Sequence, residues 1–274
     1  MLRTRANGWI VWIGCLLLVF SASASEPKAD KAKPDEAKPK VKAEGTVNTK
    51  EVELTAKDGF VLMGTFYWTE REEDQTVPGV LLLHQMRGKR QDYSDLIKEL
   101  VGRGYAVLAM DLRGHGESIK AKDGKERRHQ DFEVSEFAAM VSDAELAVNH
   151  LREQPGVDAD RIAIVGASIG ANAALNAAAK NPAVKSVVLL SPGIEYHKIK
   201  TEPAMKKYEG AVFLAASEED KYSAQTVNRL KELARGKCEL KMYSGAGHGT
   251  NMFRPTKGDL QTRVFNWIVE TLKE

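Results

Sequence analysis

The sequence predicts an α/β domain: a mostly parallel, eight-stranded sheet flanked by helices on both faces, with no large cap domain over it. Three observations predict it. Strand-like runs recur along the chain, and five of the eight are continuously apolar, as strands covered on both faces must be. Segments with a 3.6-residue apolar period fall between them. A serine flanked by glycines, Gly166-Ala167-Ser168-Ile169-Gly170, stands where one strand gives way to a helix.

Residues 1–24 read as an export signal peptide. Arg3 and Arg5 supply a positive start, residues 9–20 are an apolar run of twelve, and Ser21-Ala22-Ser23-Ala24 is a small-residue cleavage site. Twelve residues are short for a hydrocarbon core. The expected product is exported, periplasmic or secreted, with no stable membrane span in the mature chain. An anchor left uncleaved, or lipidation at Cys15, is the alternative. Residues 25–46 alternate lysine, alanine, proline and acid with almost nothing large and apolar to bury. Such a segment does not offset its ordering entropy, so a disordered charged linker is expected. The folded domain then takes residues 47–274.

Within it, strands are expected at 50–55, 61–68, 79–84, 105–110, 161–165, 184–190, 211–215 and 238–243. Tyr93, Leu96, Ile97, Leu100 and Val101 mark one helix, and Val134, Phe137, Val141, Ala144, Val148 and Leu151 mark a second. An alanine-rich helix follows Ser168, another runs over 223–234, and Val264, Phe265, Ile268 and Leu272 mark the last. Between the strands at 184–190 and 211–215 only about twenty residues intervene, too few for a folded lid. The site should be open, walled by residues 191–210, which carry Tyr196, His197 and Tyr208, and by the charged loop 119–131.

A serine at a sharp strand-to-helix turn is held up over the sheet end with a helix N-terminus behind it, which suits a nucleophile. It needs a base, and the base needs an orienting acid. Both follow in chain order. Ala216-Ser217-Glu218-Glu219-Asp220 leaves the strand at 211–215, and Ser244-Gly245-Ala246-Gly247-His248-Gly249 leaves the strand at 238–243. Ser168, Asp220 and His248 are therefore the candidate triad. Taken alone, Asp220 is as readily a helix cap, and Glu218 and Glu219 compete for the acid's role from earlier in the turn.

The chain resembles the α/β-hydrolase family, in its dienelactone-hydrolase-like and serine-esterase branch, over about residues 49–273. Besides the serine turn, Val80-Leu81-Leu82-Leu83-His84-Gln85-Met86-Arg87-Gly88 is similar to the family's strand and oxyanion loop. The segment from Gly104 through Asp111-Leu112-Arg113-Gly114-His115-Gly116-Glu117-Ser118 is similar to its next strand and turn. The resemblance implies an oxyanion hole made of the backbone N–H groups of Ile169, next to the nucleophile, and Met86. Gln85 departs from the pattern, standing where many relatives have glycine. His84 and His115 read as loop architecture.

The formal net charge of +2 falls to about zero without Arg3 and Arg5, which names no nucleic-acid partner. Removing the leader leaves Cys238 as the one cysteine, so no internal disulfide forms. No histidine–carboxylate cluster has metal-ligand spacing, and no cofactor is expected. The expected partner is a small ester-like substrate; oligomeric state stays open. The reading is an exported serine hydrolase, a carboxylesterase for small or medium acyl esters. The same triad also suits a peptidase, thioesterase or carbon–carbon hydrolase, and the fold alone would suit a non-catalytic binding protein.

Overall fold

In chain order the elements are β1 (Val47–Thr55), β2 (Val61–Thr69), β3 (Val77–Leu83), α1 (Ser94–Gly102), β4 (Ala106–Met110), α2 (Val134–Ala138), α3 (Met140–Arg152), β5 (Val157–Ala167) and α4 (Ile169–Ala178). There follow β6 (Val184–Leu190), β7 (Glu195–Tyr196), β8 (Ile199–Lys200), α5 (Glu202–Met205), β9 (Ala211–Ser217), α6 (Lys221–Leu233), β10 (Cys238–Tyr243) and α7 (Asp259–Thr271). The structure, a computed structural model, describes residues 46–72 and 74–273. The signal peptide expected over 1–24, and the linker expected over 25–46 apart from Thr46, lie outside the described residues.

One eight-stranded sheet runs in the order β1-β2-β4-β3-β5-β6-β9-β10. Only β2 opposes its neighbours; the other strands share one direction. Residues 80–83, 106–109, 162–165 and 187–190 expose 1 % or less, which is why these strands carry no polar alternation. Successive side chains still point to opposite faces. Val80 and Leu82 join Leu96, Leu100, Val264 and Ile268 of α1 and α7. Leu81 and Leu83 join Val148 and Leu151 of α3, Leu175 of α4 and Val227 of α6. Each large side chain buried this way contributes roughly 1.5–3 kcal/mol.

Beyond shifts of a few residues at element ends, two elements differ from expectation. The helical period over 134–151 is broken at Ala139 into α2 and α3. The strand expected at 161–165 extends to Val157–Ala167, because its polar N-terminal part pairs Val157 and Asp158 with Val77 and Pro78. Residues 191–210 hold only the hairpin β7–β8 and the one-turn α5. Tyr208 does not wall the crevice beside Ser168: it is buried and its hydroxyl donates to Val184 O at 3.0 Å.

From β3 the chain goes to β4 on one side and then crosses to β5 on the other. Loops leaving the C-terminal ends of β3 and β5 therefore diverge and leave a crevice between them, the usual place for a site on such a sheet. The turn at 84–88 and Ser168 flank that crevice.

Candidate active site

Ser168 follows β5 directly and has φ 55° and ψ −121°, a backbone that side-chain-bearing residues seldom adopt. Its N–H donates to Leu190 O at 2.8 Å, and its carbonyl accepts from Ala171 at 2.9 Å and Asn172 at 3.1 Å. The neighbouring glycines are steric necessities. A Cβ at Gly166 would overlap Gly170 O, and one at Gly170 would overlap His84 O. The start of α4 is thus pressed against the end of β3. Ile169 begins that helix and is buried, and its amide belongs to the first turn, whose N–H groups have no intrahelical acceptor.

The turn after β3, where the oxyanion loop is expected, is set by His84. The ring is fully buried; Nδ1 contacts Gln85 O at 2.7 Å and Nε2 accepts the Leu112 N–H at 2.9 Å. Nε2 as acceptor fixes the neutral tautomer with the proton on Nδ1, and burial holds the ring's pKa below its ordinary value. Gly88 N–H closes the turn on Gln85 O at 2.9 Å. Met86 lies at its tip, and no backbone acceptor takes its N–H among the described residues.

Asp220 does both things its sequence position allowed. Oδ1 accepts the Ser223 N–H at 3.4 Å as the cap of α6, and Oδ2 lies 2.6 Å from His248 Nδ1. The carboxylate thereby holds the Nδ1 proton and leaves Nε2 as the acceptor. Glu218 is exposed. Glu219 instead braces the histidine loop, accepting from Ser217 Oγ at 2.6 Å, Gly245 N at 2.8 Å and Ser244 Oγ at 3.1 Å. The Ser217 hydroxyl, followed by the Gly245 amide, draws its pKa down to about 2.

Two consecutive residues, the last of β6 and the one after it, bring serine and histidine to the same strand end. Leu190 O holds the Ser168 N–H, and Ser191 Oγ accepts the Gly249 N–H at 2.9 Å. Ser191 carried no sequence signal beyond lying at a strand end. No hydrogen bond joins the Ser168 hydroxyl to His248 among the described residues; such bonds often tighten only when substrate is present. The phenol of Tyr196, on β7, faces Ser168, and stands 3.5 Å from Ser223 Oγ. Burial pushes its pKa up, opposed by hydrogen bonding to Ser223 and Ser168.

The remaining singled-out residues are scaffold. Asp111 accepts from Arg90 N at 2.8 Å, Arg90 Nη1 at 2.6 Å and Glu117 N at 3.0 Å. Arg113 is buried against both oxygens of Asp143, at 2.5 and 2.6 Å, and reaches Asp58 at 2.7 Å. His115 stacks on His129 with centroids 4.1 Å apart, and its edge meets His84 at 5.2 Å. His197 stacks on Phe137 at 3.8 Å. In the loop 119–131, Arg127 pairs with Glu136, Arg128 with Glu126 and Lys125 with Asp123. A surface depression lined by Lys180, Lys185, Lys207 and Tyr208 lies by the N-terminal ends of β6 and β9, away from Ser168. Among the described residues no group of three or more His, Cys, Asp or Glu could hold a metal, and no helix is long and apolar enough to cross a membrane.

A family model described as serine aminopeptidase, S33 (Hydrolase_4) matches residues 74–212, half the chain. That stretch includes Ser168, Met86 and Ile169 and stops short of Asp220 and His248. Thiohydrolase aneE of Aspergillus aculeatus is 30% identical over 146 residues, 53% of this chain and 42% of that protein. The chain thus spans less than half the length of that relative. Among solved structures, dienelactone hydrolase from Anabaena variabilis superposes with a TM-score of 0.63 at 20% identity, covering 82% of this chain and 99% of that one. Acetyl xylan esterase from Paenibacillus sp. R4 gives 0.64 at 16% identity, covering 84% and 85%. At these identities the likeness carries the fold.

Proposed function

The chain belongs to this family of α/β hydrolases, and from that premise we propose that it is a serine carboxylesterase, exported, that cleaves small or medium acyl esters. The observation that carries the reading is the 2.6 Å contact of His248 Nδ1 with Asp220, on a loop tied through Ser191 to the strand end that holds Ser168. In this reading His248 Nε2 removes the Ser168 proton as Oγ attacks the ester carbonyl. Asp220 fixes the tautomer and steadies the imidazolium. The N–H groups of Met86 and Ile169 hold the oxyanion. Collapse expels the alcohol, protonated by His248, and leaves an acyl-enzyme. Water activated by the same imidazole then hydrolyses it and restores Ser168.

Export is supported by the leader-like run in residues 1–24. The absence of a lid between β6 and β9 supports a site open to substrates of varied alcohol group. The test is p-nitrophenyl acetate turnover of the mature domain, with a fluorophosphonate probe alongside. Ser168→Ala should lower turnover by about 10⁴-fold or more and abolish labelling while the circular dichroism spectrum stays unchanged. Labelling that persists in the variant would reject the assignment. A thioester and lactone panel ranks the substrate class.

A further inference from the structure

Gln85 stands where the family resemblance leads to an expectation of glycine, and the structure shows what its side chain reaches. Gln85 Oε1 accepts the backbone N–H of Thr250 at 2.6 Å and the Thr250 hydroxyl at 3.1 Å. The partner settles which end of the amide this is, since an NH₂ could not accept from an N–H. The same oxygen occupies the space where Gly249 would carry a side chain, and Gly249 has φ 59°. The histidine loop is therefore notched for it. At its other end Gln85 is part of the oxyanion turn, its carbonyl accepting from Gly88 N and contacting His84 Nδ1.

We propose that Gln85 is a positioning residue: its side-chain carbonyl latches the His248 loop to the turn that presents the Met86 N–H, and so sets the distance between base and oxyanion hole. The proposal rests on the serine-hydrolase reading. Along the chain those two segments are joined only through 165 intervening steps. The histidine loop itself has positive φ at Gly245, Gly247 and Gly249, so its own backbone does little to hold one course. Ser191 and Glu219 tie it to β6 and β9. Gln85 supplies the tie toward β3. A glycine there would leave the Thr250 N–H, in a residue that is 7% exposed, without its acceptor.

Loss of a tie of this kind misplaces the base in the transition state without removing a ground-state contact, so kcat should fall and KM should not. The variants are Gln85→Met, which fills the space without an acceptor, and Gln85→Glu, which keeps one. Amide exchange of the peptide over 244–253, read by mass spectrometry, should accelerate about tenfold in the Met variant and return to near wild type in the Glu variant. In the Met variant kcat for p-nitrophenyl acetate should fall about 10–100-fold with KM within about twofold. Unchanged exchange in the Met variant overturns the latch, as does a Glu variant that stays unprotected or a rise in KM at constant kcat. A wild-type protein silent on every ester removes the function proposed above, while the exchange comparison still decides the latch.

Discussion

His115 makes a quantitative prediction about acid stability. It is 3% exposed, stacked on His129 and edge-on to His84, with Nδ1 at 2.9 Å from Arg113 O and Nε2 buried without a partner among the described residues. Burial first, then the neighbouring His84 ring, lowers its pKa from 6.5 to about 4; the Arg113 carbonyl and Asp111 pull the other way. In the unfolded chain the ring titrates near 6.5. Below that pH the unfolded state gains a proton that the native state refuses, so stability is full above 6.5 and falls as pH drops toward 4. The loss between pH 7.5 and 4 is about 3 kcal/mol from this one ring. His84, also depressed by burial, adds to the wild-type slope, as does Glu219 with its lowered pKa. The comparison with His115→Gln isolates the share of His115. Urea unfolding at pH 7.5 and pH 4 should show wild type losing about 3 kcal/mol more than the variant, a difference of about 1–3 M in midpoint displacement. Parallel losses in the two proteins would refute the reasoning, because the ring would then titrate alike folded and unfolded.

Two further outcomes follow from the ion contacts. Asp220→Asn should lower kcat for p-nitrophenyl acetate by about three to four orders of magnitude, by permitting the wrong imidazole tautomer, yet cost under about 1 kcal/mol of stability since Asn also caps helices. A fall of less than tenfold in kcat would place the orienting acid elsewhere. Asp143→Ala leaves the Arg113 guanidinium buried without its bidentate partner and should cost about 3–5 kcal/mol. A differential-scanning melt should drop by roughly 10 °C; an unchanged melting temperature would mean that Asp58 alone suffices.

The sheet was legible because its interior strands are apolar without interruption, which few other environments demand. What stayed hidden depends on backbone pairing or distant packing. The polar start of β5 is held by the pairing of Val157 and Asp158 with β3, and no side-chain pattern announces that. The break at Ala139 follows no glycine or proline; α2 is placed by Phe137, which packs between Phe132 and His197 from far along the chain. At the site, residue types and their order pointed to Ser168, Asp220 and His248. The braces did not show: Ser191, Glu219 and Thr250 are ordinary loop residues until the strands bring their partners near. Asp220 looked like a choice between two roles, and its two oxygens make both contacts.

The backbone at Ser168 costs of order 1–3 kcal/mol to maintain, and what holds it is the neighbouring strand, through the Leu190 carbonyl. A peptide cut from residues 161–180 would carry every letter of the motif and relax to an unremarkable helix start. Presentation of the hydroxyl is in this sense a product of completed assembly: until β6 docks beside β5, the chain owns a serine but not yet this posture for it.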